Sequence, residues 1–215
     1  MRLPCLWMFV LPLCLLGQDE LSIKSPNGQV EFHIFLAPQA DRTFSRLAYQ
    51  ADYRGKPVMD TSFLGLDIWE QEPLLGENTG LISKIFSKTP KYNSLIAQYM
   101  QNGSLGRRID VEIRVFDDGI AFRYALAKSI TMAELLIADE ATEFVASKGA
   151  EMPKIFEVAA PPYPPMHLET EGGTNNLVTR LARVPGKPKL AYEGKTPITT
   201  AWRVIQFGGT TAIKP

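Results

Sequence analysis

The stretch "IDVEIRVFDDGIAFRYALA", residues 109–127, constrains the fold of this chain more than any other. Ile109, Val111, Ile113 and Val115 alternate with Asp110, Glu112 and Arg114. Ile120, Phe122 and Tyr124 then alternate with Ala121, Arg123 and Ala125. A period of two places successive side chains on opposite faces of a half-buried strand, whereas a helix repeats every 3.6 residues. The two runs are separated by Asp117-Asp118-Gly119, which predicts a tight hairpin. Asp118-Gly119 is expected there at positive φ, which glycine adopts freely and aspartate tolerates. Adjacent carboxylates also suggest a glycosidase or a metal site. Neighbours on a strand point apart, however, and make a poor acid/base pair, so Asp117 and Asp118 are assigned to the turn.

The same alternation recurs. Val30, Phe32, Ile34 and Leu36 share one face of "GQVEFHIFL", with Glu31 and His33 on the other. "LIAQYM", "NLVTRLARV" and "WRVIQF" read as further strands. Turn dipeptides fall at Asn27-Gly28, Arg54-Gly55, Asn102-Gly103 and Gly172-Gly173. Only "SITMAELLIADEATEF" has helical composition, and its apolar runs fit strands equally well. Many short strands with regular turns predict an all-β sandwich.

Composition narrows the function. Lys+Arg and Asp+Glu both count 23, which gives no electrostatic case for nucleic acid. The first residues pair Arg2 with an apolar run from Leu3 to Leu16, followed by Gly17. This is the pattern of a secretory signal cut near Gly17. Residues 1–17 are therefore expected to be removed, leaving 18–215 as one exported domain, periplasmic or extracellular, with no membrane segment. Both cysteines, Cys5 and Cys14, fall in the signal. The mature domain would then have no disulfide or thiol nucleophile, and its core alone would hold it together.

Motifs for other chemistries are missing. His33 and His167 are the only histidines, without zinc-type spacing, and His33 is expected in solvent on a polar strand face. Neither "GGT" has a phosphate-loop context, and no G-x-S-x-G occurs. "APPYPPM" has polyproline composition but reads as a rigid loop. Trp69, Tyr92, Tyr99 and Trp202 could stack on sugar rings, although burial is the commoner fate of such residues. Trp202 shares a strand face with Val204 and is expected in the core. Arg203 then faces the other way, placed to meet a carboxylate.

Five blocks in this order, "LSIKSPNGQVEFHIFL", "YRGKPVMDTSFLGLDI", "RRIDVEIRVFDDGIAFRYAL", "DEATEF" and "TPITTAWRVIQFG", resemble the N-terminal domain of glycoside hydrolase family 97. The resemblance covers most of residues 20–207. Ala201 stands where the family motif usually has proline. The resemblance implies an N-terminal β-supersandwich, which in the family precedes a (β/α)8 barrel and a small β-domain. It implies exported bacterial α-glycosidases, acting on α-glucosides or α-galactosides and requiring calcium. The catalytic carboxylates of the family lie on the barrel, so no catalytic residue is expected within these 215 residues.

The resemblance also implies one metal ligand. The family holds its calcium partly through a glutamate in a pattern close to E-A-x4-Y-x2-M-Y-L. "FEVAAPPYPPMHL" supplies Glu157, Tyr163 and Met166 at that spacing, with Val158 for Ala and His167 for Tyr. Glu157 is the candidate calcium ligand, and it would bind weakly alone because calcium takes six to eight oxygens. Between "DEATEF" and "FEVAAPP" the family carries more strands, where only "VASKGAEMPKI" stands here. A shortened sandwich is therefore expected, with unpaired edges and exposed apolar surface. The expected function is that of an accessory domain to a catalytic barrel, inactive alone. The alternatives are an exported carbohydrate-binding module or a protein-docking module.

Overall fold

The computed structural model describes residues 20–40, 42–103, 106–171, 176–209 and 211–215. The expected signal, both cysteines and the Gly172-Gly173 turn lie outside the described residues.

Seventeen strands and no helix make up the described residues. The first nine are β1 (Leu21–Lys24), β2 (Val30–Ala37), β3 (Arg46–Tyr53), β4 (Lys56–Phe63), β5 (Leu66–Ile68), β6 (Thr79–Lys88), β7 (Tyr92–Gln101), β8 (Arg108–Phe116) and β9 (Gly119–Leu126). The rest are β10 (Glu134–Glu140), β11 (Glu143–Phe144), β12 (Lys154–Val158), β13 (Met166–Thr170), β14 (Leu177–Leu181), β15 (Tyr192–Lys195), β16 (Ile198–Thr199) and β17 (Trp202–Gln206). The ambiguous segment "SITMAELLIADEATEF" thus forms strands β10 and β11.

Two antiparallel sheets face each other. One runs β1-β2-β3-β4, and the other runs β12-β17-β9-β8-β7-β6 with β16 paired to β9. Smaller sheets, β15-β10-β5 and β11-β14-β13, close one side. The alternation in β2, β8 and β9 explains the layering: each sends its apolar set inward, where Val30, Phe32, Ile34, Val111, Ile113, Ile120, Phe122 and Tyr124 are buried in one core. Phe32, Tyr49, Phe122 and Phe144 pack at its centre, with ring centroids 5.4 to 6.4 Å apart. Burying such rings supplies roughly 1.5–3 kcal/mol each from area alone.

Several expectations need correction. The β8–β9 loop is Asp117-Asp118, since Phe116 already pairs with Gly119. Neither aspartate nor Gly119 takes a positive φ. The glycine is required for another reason: a Cβ on Gly119 would lie 2.4 Å from the Ile205 carbonyl oxygen of β17. Both carboxylates do belong to the turn region. Asp117 Oδ1 accepts from the Asn27 N–H at 2.9 Å, and the Asp118 carbonyl accepts from Phe207 N–H at 2.9 Å. Leu36 is only half-buried and Ala37 takes the core position. His33 is half-buried and paired with Glu20, not free in solvent.

The second face of the large sheet is also partly apolar. Ala121, Trp202, Val204 and Ile213 are buried there, with Phe116, Phe156 and Val158 packed against them. Trp202 is therefore core, but in this outer cluster. Arg114 and Arg123 lie over its ring at 4.7 and 4.5 Å. The large sheet ends at β6, whose outer edge pairs with no strand among the described residues. Ile82, Ile85 and Phe86 on that edge are about half exposed.

Candidate functional site

The chemistry inside the molecule converges on Arg203. It lies on β17, and the strand's alternation turns it inward from the Trp202–Val204 face. Its guanidinium is fully buried. Nε donates to Glu140 Oε1 at 2.8 Å, and Nη2 donates to Oε2 of the same carboxylate at 2.6 Å. The third arm, Nη1, donates to Glu157 Oε2 at 2.7 Å. This is the bidentate fork geometry that makes arginine the preferred partner of a buried carboxylate.

Three elements deliver these groups. Glu140 ends β10, and Glu157 sits on β12 directly opposite Arg203. Tyr163, in the loop after β12, donates its hydroxyl to Glu140 Oε2 at 2.8 Å. Thr142 Oγ1 donates to Glu140 Oε1 at 2.8 Å and lies 2.6 Å from the Tyr124 hydroxyl. The Gly65 N–H in turn donates to that tyrosine oxygen at 3.1 Å. With the threonine proton committed to Glu140, the tyrosine must donate to Thr142. One line of donors thus runs from the Gly65 backbone to the Glu140 carboxylate, which accepts from Thr142, Tyr163 and twice from Arg203.

The electrostatics follow from that closure. Burial alone would lower the Arg203 pKa, but Glu140 more than offsets it and holds the guanidinium above its ordinary value. Burial, reinforced by Glu140, raises the phenols of Tyr163 and Tyr124 above the usual tyrosine range. Glu140 is fully buried, so no substrate reaches it. This centre ties β10, β12 and β17 together.

The family model of the glycosyl-hydrolase 97 N-terminal domain matches residues 23–153. The chain belongs to the glycosyl-hydrolase 97 N-terminal family. Among solved structures, it is similar to a glycoside hydrolase family 97 enzyme from Pseudoalteromonas sp. strain K8 in complex with acarbose. That match has 17% identity and a TM-score of 0.72, and covers 87% of this chain but 35% of that one. A variant family 97 enzyme from the same strain, in complex with panose, aligns with 18% identity and a TM-score of 0.71 over the same shares. A β-arabinopyranosidase aligns with 17% identity and a TM-score of 0.68, covering 87% of this chain and 40% of its own. At these identities the likeness is one of fold. The comparison with curated proteins gave no match. The chain thus spans little more than a third of the solved relatives' length.

Within this family 97 domain, Glu157 is half-buried, and its Oε2 also accepts from the Met166 N–H at 3.1 Å. No group of three histidine, aspartate or glutamate ligand atoms among the described residues includes Glu157. An arginine contacts it directly, and like charges repel. The residues present therefore do not fit a calcium ion by themselves. The aromatic residues make no common platform: Tyr99 is core, Trp69 follows β5, and Tyr92 lies on β7 beside Phe116.

Sequence reading placed Arg203 against a carboxylate without identifying which. Glu140 was overlooked, although it stands in the quoted block "DEATEF". Two further buried arginines were missed. Arg107 Nε donates to Gln101 Oε1 at 2.7 Å, its Nη1 donates to the Gln71 carbonyl at 3.3 Å, and its Nη2 donates to the Pro73 carbonyl. Arg46 Nε donates to the Leu64 carbonyl at 3.0 Å. Nothing in local periodicity marks an arginine as buried by backbone carbonyls distant in sequence.

Proposed function

We propose that this chain is the accessory N-terminal β-sandwich of an exported, calcium-dependent α-glycosidase of the α-glucosidase/α-galactosidase type, and that it acts by packing on a catalytic barrel. The observation that carries this reading is the coverage: nearly the whole chain superposes on little more than a third of the family enzymes. Sealing of the central carboxylate behind Arg203, Tyr163 and Thr142 supports an inactive role alone. Glu157 is the candidate contribution to a shared calcium. Arg203 and the Met166 N–H hold its carboxylate in place, and the remaining oxygens would come from the barrel.

The test is hydrolysis of nitrophenyl α-glucoside and α-galactoside by the full chain, alone and mixed with a family 97 barrel lacking its own N-terminal domain. No turnover alone, with co-elution and calcium-dependent gain of activity in the mixture, is expected. Turnover by the chain alone, or no association with the barrel, would overturn the proposal.

A further inference from the structure

On the outer face of the four-stranded sheet, the β2–β3 pairing sets Glu31 directly opposite Asp52. Like charges in that position destabilise a sheet unless something lies between them. His33 stands two residues along β2, on the same face. One ligand atom each from Glu31, His33 and Asp52 lie within 4.8 Å of one another. All three side chains are half-buried.

The imidazole is oriented from behind. Its Nδ1 lies 3.0 Å from Glu20 Oε1, and its Nε2 lies 3.9 Å from Glu31 Oε1. A carboxylate at Nδ1 favours a proton there, and in the neutral imidazole the Nε2 lone pair is then the one directed towards Glu31. This carboxylate–histidine arrangement fixes the tautomer of metal-binding histidines.

A cavity of about 600 Å³ opens beside the cluster and is lined by Glu20, His33, Asp52, Asp60, Ser147 and Lys148, among others. The cationic groups nearby are Lys24, 3.2 Å from Glu31 Oε2, and Lys148. They leave the carboxylates Glu20, Glu31, Asp52 and Asp60 in excess.

We propose that Glu31, His33 and Asp52 bind a divalent transition-metal cation of the zinc type, with Glu20 orienting His33. One imidazole nitrogen among carboxylates favours such an ion over calcium or magnesium, which take oxygen ligands. The site is separate from the Arg203 centre and does not depend on the proposed accessory role.

Titration calorimetry and thermal unfolding of the full chain with zinc chloride test it, in buffer free of chelators and phosphate. One zinc ion per chain should bind and raise Tm as ligand concentration exceeds Kd. Neither calcium nor magnesium should do the same at equal concentration. His33→Ala and Asp52→Asn should abolish the shift, and Glu20→Gln should weaken binding about tenfold. Each variant should match the parent's Tm in EDTA, which separates lost binding from lost folding. His167→Ala, at the only other histidine, should bind zinc as the parent does. No stoichiometric zinc, equal binding of calcium, or binding that survives His33→Ala would overturn the proposal.

Discussion

Arg203 is the residue on which most of the buried polar chemistry depends. Its three arms satisfy two carboxylates in a region closed to water, where an unpaired charge is strongly unfavourable. Truncating it strands Glu140 without a counter-charge. Arg203→Ala is therefore expected to destabilise the domain by about 3–5 kcal/mol in urea unfolding. The double variant Arg203→Met with Glu140→Leu should recover part of that loss, because replacing both charges removes the stranded group. A loss below about 1 kcal/mol for Arg203→Ala would mean that water reaches Glu140. At this scale the sequence was half legible. Strand alternation put Arg203 on the face opposite Trp202, because a period of two is local, but it assigned the core to the Trp202 face, whereas Arg203 is the residue that points into the interior. The identity of its partner was not predicted, because Glu140 lies 63 residues away and only folding brings it near.

At the scale of elements, the hairpin between β8 and β9 shows how a motif is read correctly for an incomplete reason. The alternating runs and the Asp-Asp-Gly signal do mark a hairpin. The glycine, however, answers to its neighbour strand and not to the turn's φ. Its missing Cβ lets β17 approach, with the Ile205 carbonyl 2.4 Å and Ile213 Cδ1 2.6 Å from where a methyl would stand. Backbone cannot step aside as a flexible side chain can. Gly119→Ala should cost about 1–3 kcal/mol, the range for overpacking a filled site. Gly28→Ala, at a turn of φ +71 with open space around it, should cost less, about 1 kcal/mol. Denaturation midpoints of the two variants check the order, and equal losses would show that the strands can part at Gly119. The edge strand β6 leaves Ile82, Ile85 and Phe86 about half exposed. Lys84 and Lys88 lie in the same strand, a charge pattern that discourages pairing with other chains.

At the scale of the whole molecule, one core joins the two facing sheets, so unfolding should be a single event. Tyr49, Tyr124 and Tyr163 sit on β3, on β9 and in the loop after β12, and burial raises all three phenols above their ordinary value of 10.0. A group whose folded pKa is raised contributes stability that is fully present below the unfolded value and is lost as pH rises past it. Stability should therefore be insensitive to these tyrosines below about pH 10 and fall steeply above it. Phenolate absorbance should show their ionisation together with the loss of circular dichroism, not before it. Tyr163→Phe should flatten the alkaline slope by about one proton. Ionisation of all seven tyrosines ahead of unfolding would show that the core admits water.

The sequence by itself determined the all-β class, the inward residues of β8 and β9 and most of those of β2, and the family; it did not determine which face of β17 points inward. What it determined rests on short-range periodicity or on contiguous blocks, which need no knowledge of distant neighbours. Tertiary structure decided the rest: that Glu140 completes the Arg203 pair, that Arg46 and Arg107 are buried against backbone carbonyls, that Glu157 is held by an arginine, and that Glu31, His33 and Asp52 share one face. Each of these depends on strand pairings and sheet contacts that no local pattern specifies. The physical reason is the same throughout: a buried charge is set by the groups that surround it in space, and those groups come from parts of the chain that are far apart until it folds.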